Sequence, residues 1–268
     1  MIDHRLPPIR EVVLTRPAGS NAGLHDALVA ARPAELAEPI LTTRPLLAIH
    51  ALPDGGELPA ALAAMQPGDL VVFVSPRAVE AAQAVCSLAD WPGCPFAAVG
   101  AATGRALAQA GCPATFLPDF SEDSEGLLER LKDEPMAGRR VWIVRGETGR
   151  DLLADALAAR GAEPSFVAVY RRDCPDPQQA VPSGPACLWI ITAPQALDCL
   201  ARWAGLARAC DESESGLLDS SLLVINERAR ERAMVLGFRG QITVVGGPGS
   251  NELARATWSV ITDRQASY

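Results

Sequence analysis

Lysine is almost missing from this chain: of 24 basic residues only Lys132 is a lysine, and it sits in the polar stretch Arg130-Leu131-Lys132-Asp133-Glu134. That setting argues against a Schiff base and against a Walker lysine. Histidine is nearly as scarce. His4, His25 and His50 are scattered with no partner spacing, so they read as structural or surface residues, and no metal site is expected. The seven cysteines (Cys86, Cys94, Cys112, Cys174, Cys187, Cys199, Cys210) form no C-x-x-C pair and no zinc spacing, and read as buried thiols. No apolar run approaches the ~18 residues that a membrane span needs, and Met1-Ile2-Asp3-His4-Arg5 lacks the apolar stretch of a signal peptide. A cytoplasmic protein with no membrane partner is expected. Positive charge is also in deficit. A net charge of −8 argues against nucleic acid as a partner, although a local cluster of donors can still bind a small polyanion. Neither G-x-G-x-x-G nor a Walker motif is present, which weakens a nucleotide-binding reading.

What the chain does have is repeated strand, turn, helix units. With 268 residues and 49% hydrophobic content it can hold two domains, each with a real core. In the clearest unit, Val141 to Val144 is an apolar run suited to a strand buried on both faces, and Gly146 to Gly149 signals a turn. Thr148 and Asp151 have capping-box spacing, Leu152, Leu153, Ala156 and Leu157 recur at helical intervals, and Arg160-Gly161 marks the helix end. The next strand, Phe166-Val167-Ala168-Val169-Tyr170, ends at a tyrosine. Parallel strands with crossover helices place such turns at the carboxyl ends of the strands, where open α/β sheets bind ligands.

Similar units begin at Glu11 to Arg16, Leu70 to Pro76, Ala97 to Thr103, Ala186 to Pro194, Leu222 to Asn226 and Gln241 to Pro248. A last helix is expected from about Asn251 to Trp258. Pro39 to Pro45 and Arg171 to Pro177 are extended, proline-bearing segments that read as linkers. Arg16 matches Arg145, Pro76 matches Pro194, and Gly100 matches Asn226, at spacings of 129, 118 and 126 residues. Three matches in one order indicate two related α/β halves, which taken alone would divide near residue 135. At each strand end the unpaired amides of a helix N-terminus attract negative charge. The competing reading is that Ser75, Thr103 and Thr148 only cap their helices.

Thr15-Arg16-Pro17, Ser75-Pro76 with Val79, Val99-Gly100 with Thr103, Arg145-Gly146 with Gly149, Gly161-Ala162 and Val169-Tyr170-Arg171 together resemble the uroporphyrinogen-III synthases, in order and spacing over nearly the whole chain. The resemblance implies an α/β fold of two flavodoxin-like parallel-sheet domains joined by a two-stranded linker. It makes the first domain discontinuous, 1–43 plus 173–268, with 44–172 as the second. It implies closure of hydroxymethylbilane, a linear tetrapyrrole, with inversion of the last ring and loss of water, and no cofactor. A monomer is expected, with domains that hinge around a ligand cleft. The implied substrate-binding positions are Thr15, Arg16, Ala193 and Asn226 in the first domain. Those in the second are Ser75, Pro76, Gly100, Thr103, Arg145 and Gly146. The pattern departs from the family at Ala193 and at Ala229, neither of which offers a side-chain donor.

Tyr170 is the candidate catalytic residue. It is one of two tyrosines, and the other, Tyr268, is the last residue of the sequence. A phenol, with a reference pKa of about 10, keeps its proton at neutral pH and can give it to a departing hydroxyl. The resemblance implies the same role. Alternation along the strand puts Tyr170 on the face of Ala168, with the ring free to turn at the strand end. The alternatives are a tyrosine that only packs at a domain edge and, for the whole chain, a non-catalytic two-domain sensor of a small polycarboxylate or tetrapyrrole.

Overall fold

Leu70–Phe73, Cys187–Ile191 and Ser221–Val224 are buried at every position, the pattern of parallel strands covered on both faces by helices. The computed structural model describes residues 6–119, 123–177, 180–210 and 216–266, with the side chains of 206–210 excepted. His4, Tyr268 and the side chain of Cys210 lie outside the described residues. The chain opens with β1 (Glu11–Leu14), α1 (Ala22–Ala30) and β2 (Ile40–Thr43). It continues through β3 (Ala48–Ala51), α2 (Leu58–Ala64), β4 (Leu70–Phe73), α3 (Pro76–Val85), β5 (Phe96–Ala98) and α4 (Ala101–Gln109). Next come α5 (Ser124–Arg130), β6 (Arg140–Gly146), α6 (Leu152–Ala159) and β7 (Glu163–Asp173). The chain closes with β8 (Cys187–Ile191), α7 (Pro194–Cys210), β9 (Ser221–Val224), α8 (Glu227–Val235), β10 (Ile242–Val244) and α9 (Ser250–Ala266).

These elements pack as two units, one from Met1–Ala48 with Asp173–Tyr268 and one from Ile49–Arg172, so no boundary falls near residue 135. The first holds a five-stranded sheet in the order β10-β9-β8-β1-β2, and the second a sheet in the order β3-β7-β6-β4-β5. Alternation splits each sheet's side chains between two cores. In the first unit Val13, Trp189 and Val224 meet α7 and α8, while Val12, Leu14 and Ile190 meet α1 and α9. In the second, Phe73, Ala98 and Val144 meet α3 and α4, while Val72, Ala97 and Ile143 meet α5 and α6.

The repeat seen in the sequence has a structural counterpart. Phe73 pairs with Ala98 and Val144 in one sheet; in the other Ile191 pairs with Val224, and Leu14 beside Ile190 puts Thr15 level with Ile191. These triplets are separated by 118, 126 and 129 residues, the spacings read from the turns. β1, β2, β8, β9 and β10 therefore correspond to β6, β7, β4, β5 and the single parallel bridge at Phe116. Along the chain this is one five-strand series followed by a second. Each unit nevertheless takes its first two strands from one series and the rest from the other, which is why halves that are contiguous in sequence are exchanged in space.

Several local expectations change. Ile40–Thr43 is not a linker but β2, paired in parallel with β1. The last helix runs to Ala266, about two turns past Trp258, because Val260, Ile261 and Arg264 continue its buried face. Cys174 and Cys199 are disulfide-bonded and not separate thiols, since the extended chain at Cys174 lies along α7 with Cα atoms 5.3 Å apart. Arg202 donates to Cys174 O at 3.2 Å and Trp203 Nε1 to Pro175 O at 2.7 Å on the same track. Of the free cysteines, Cys86, Cys94 and Cys112 are half-buried, and Cys187 is buried with its thiol pushed up to about 11 by desolvation. No helix among the described residues is long and apolar enough to cross a membrane.

At the amino edge of the first sheet, Arg264 donates to Pro7 O at 2.9 Å, Pro185 O at 3.1 Å, Gln241 Oε1 at 2.8 Å and Ser221 Oγ. These acceptors begin or precede β1, β8, β10 and β9, so one guanidinium laces four strands to α9. Burial lowers its pKa from the ordinary arginine value. Arg264→Met removes the donors and leaves the buried Ser221 hydroxyl and three part-buried acceptors without them, at an expected cost of about 2–4 kcal/mol. Urea unfolding followed by circular dichroism measures this; an unchanged midpoint would show the bracket to be dispensable.

Candidate active site

Two residues beyond the paired Phe73, Ala98 and Val144 stand Ser75, Gly100 and Gly146, and Gly146 is itself paired with Tyr170. Four of the sequence candidates thus form one row along the carboxyl edge of the second sheet. Ser75 is the N-cap of α3, with its hydroxyl oxygen accepting from Ala78 N–H at 3.2 Å and Pro76 at the first helical position. The capping reading therefore holds for Ser75, but its Oγ is also 3.3 Å from the Tyr170 hydroxyl. Gly100 begins α4 without a side-chain cap, and Thr103 is buried in that helix's first turn.

Tyr170 departs from the expected geometry in two ways. It is not terminal, because β7 continues to Asp173. Nor does it share a face with Ala168. The pairing jumps from Arg145↔Ala168 to Gly146↔Tyr170, a β-bulge that puts Tyr170 in the same core as Val167 and Val169. Bulges bend a strand and re-aim one side chain, and are enriched beside active sites. Here the ring is turned to the α3 side with only 2% of its surface exposed. It lies over Gly146, where a Cβ would come 2.7 Å from Tyr170 Cε2.

Arg145, an expected substrate ligand, points to the opposite face. Its guanidinium donates to Asp151 Oδ1 at 2.9 Å and Arg150 O at 3.3 Å, and stacks on Phe166 with Cζ 4.3 Å from the ring centroid. It braces the β6–α6 turn. Asp151 holds the N-cap position of α6 without capping it, because its carboxylate is engaged by Arg145; the Thr148 capping box does not form.

The first unit's candidates are mostly held internally. Thr15 Oγ1 donates to Ile190 O at 2.6 Å, stitching β1 to β8. Arg16 reaches the start of α9, donating to Ser250 Oγ at 3.0 Å and to Pro248 O, and burial lowers its pKa. Asn226 caps α8, accepting from Ala229 N–H at 2.9 Å. Ala193 precedes Pro194 at the start of α7. At the places corresponding to Ser75 and Thr103 this unit has Ala193 and Ala229, so its edge offers backbone amides where the second offers hydroxyls.

A family model for uroporphyrinogen-III synthase HemD matches residues 29–243. The chain belongs to the uroporphyrinogen-III synthase family. Uroporphyrinogen-III synthase of Escherichia coli (strain K12) is 32% identical over 203 residues, covering 73% of this chain and 80% of that protein. Uroporphyrinogen-III synthase of Salmonella typhimurium (strain LT2) is 32% identical over 213 residues, covering 75% and 85%. In fold, the chain is similar to the crystal structure of uroporphyrinogen-III synthetase from Helicobacter pylori 26695, with a TM-score of 0.59 over 94% of this chain and 100% of that one at 15% identity. Membership in the synthase family favours the cyclising enzyme over the non-catalytic sensor.

Within this family member, sequence reasoning missed the partner of Tyr170: Arg172 Nη2 donates to the phenol oxygen at 3.1 Å. Nothing local marks that contact, since Arg172 reads as the start of a polar, proline-rich linker. Gly146→Ala is expected to displace the Tyr170 ring, at a stability cost of about 1–3 kcal/mol for overpacking. Thermal unfolding together with a turnover assay checks it, and a variant with normal stability and turnover would show that the ring can move aside freely.

Proposed function

We propose that this family member converts hydroxymethylbilane to uroporphyrinogen III, inverting the last pyrrole ring and releasing water, as a cytoplasmic monomer that uses no cofactor. Tyr170 is the acid in this reading. Its phenol gives a proton to the hydroxymethyl oxygen as the carbon–oxygen bond breaks, the pyrrole nitrogen supplies the electron pair to the carbon, and water leaves. The observation that carries the assignment is the bulge-aimed Tyr170 hydroxyl, set 3.3 Å from Ser75 Oγ at the N-terminus of α3 on the carboxyl edge of a parallel sheet. The carboxyl edge of a parallel sheet is where open α/β folds bind ligands.

The amides that open α3 and α4 are the proposed binders of substrate acetate and propionate groups, with the positive ends of both helix dipoles behind them. Ser75, Pro76, Gly100 and Thr103 belong to those first turns or precede them. Thr15, Arg16 and Arg145 shape the strand-end turns in this reading, and Ala193 and Asn226 contribute backbone. The main task is to hold the chain of pyrroles in the conformation from which inverted closure is fastest. Such catalysis by orientation needs no strong nucleophile.

Purified protein supplied with hydroxymethylbilane is expected to yield mainly the inverted isomer, resolved by chromatography, at a rate that excess EDTA does not change. Only the uninverted isomer, formed at the blank rate, would overturn the assignment. Tyr170→Phe is expected to lower kcat at least tenfold, near the lower side of the ~10²–10⁴ range for a general acid, because the electron-rich pyrrole already expels the leaving group. The melting temperature should barely move. Near-normal kcat in a folded Tyr170→Phe protein would leave conformational control as the whole mechanism.

A further inference from the structure

Tyr170 does not stand alone at the edge of its sheet. Two residues on along β7, Arg172 is exposed, its Nη2 donates to the phenol oxygen at 3.1 Å, and its Cζ lies 5.5 Å from the centroid of the Tyr170 ring. On the other side Ser75 Oγ is 3.3 Å from the same oxygen. We propose that Arg172 is a positioning residue for the reaction, which through its bond to the Tyr170 hydroxyl turns the phenolic proton toward the oxygen that leaves the substrate. The inference rests on the reading of Tyr170 as the acid.

The argument is one of donors and acceptors. A guanidinium has only donors, so at the Arg172 contact the phenol oxygen must accept, and the phenolic proton cannot point that way. A serine hydroxyl has one proton and two lone pairs, and Ser75 already uses one lone pair on Ala78 N–H. When Ser75 donates its own proton to Tyr170, both acceptor positions of the phenol oxygen are filled. The phenolic O–H is then aimed at neither Arg172 nor Ser75 and is the one bond left for a third partner. Arg172 also faces the charge that appears in the step. As the phenol O–H bond breaks and its proton joins the departing hydroxyl to make water, the electron pair stays on the phenol oxygen, 3.1 Å from a cation. Gly146 completes the arrangement by leaving room for the ring, which a Cβ there would meet at 2.7 Å, so the hydroxyl's place is set by packing and its direction by Arg172.

The contact also has a competing explanation with a different signature. An exposed arginine on this edge could instead bind a substrate carboxylate, which would act on KM and would not depend on the phenol. A double-mutant cycle separates the two. Arg172→Ala is expected to lower kcat about tenfold with KM within about twofold, and Arg172→Lys, also a donor-only cation, to restore part of that loss. In the Tyr170→Phe background, Arg172→Ala should lower kcat no further. Circular dichroism and melting temperature accompany each variant, and Arg172→Lys carries the comparison if Arg172→Ala is poorly folded. Equal losses in both backgrounds, or a rise in KM at unchanged kcat, would overturn the role of Arg172 while leaving Tyr170 as the acid. Full kcat in Tyr170→Phe alone would remove the acid itself, and this inference with it.

Discussion

Burying parallel strands on both faces is the constraint on which the structure depends. Leu70–Phe73 and Cys187–Ile191 have no residue that tolerates water on either side, so helices must cover both faces of each sheet. Crossover helices in turn fix where the turns go. Every strand end with a helix N-terminus behind it lies on the same edge, and that edge gathers Ser75, Gly100, Gly146 and Tyr170 from four separate stretches of chain. The site is a by-product of how hydrophobic strands must be packed.

Much of this was legible in the residues. Apolar runs marked the strands, Ser75-Pro76 announced a helix start that the hydroxyl does cap, and the spacings between related turns agree with the register of the two sheets. What was not legible depends on events far apart in sequence. A β-bulge has no local signature at Val169-Tyr170, so strict alternation put the ring on the wrong face. The exchange of strands between the two series leaves no trace in periodicity, which reports what each strand buries and not which partner it finds. Arg145 and Asp151 both carried plausible local roles, ligand and cap, but their attraction to each other over a short turn satisfied the charge of both.

The two units show how a repeated scaffold can divide its labour. Both keep structural devices at their strand ends: in the first Thr15 stitches β1 to β8 and Arg16 ties the end of β1 to the start of α9, and in the second Arg145 braces the β6–α6 turn. Only the second unit keeps side-chain chemistry along the row, with hydroxyls at Ser75 and Thr103 where the first has Ala193 and Ala229. Under one backbone plan, one edge carries side-chain hydroxyls and the other mainly peptide amides.

The exchange of strands has a consequence during synthesis. The unit formed by Ile49–Arg172 is uninterrupted, and all its strands are synthesised before β8. β1 is in the opposite position, since Thr15 must wait for Ile190, 175 residues later, before its hydroxyl finds an acceptor. At ~5–20 residues per second that wait is on the order of ten to thirty seconds, long compared with the folding of a small domain. For that time the apolar β1 lacks its β8 neighbour, and such an unpaired edge invites pairing with other nascent chains. The strand most exposed to misassembly is thus β1, and the synthesis of β8 to β10 is what closes its sheet.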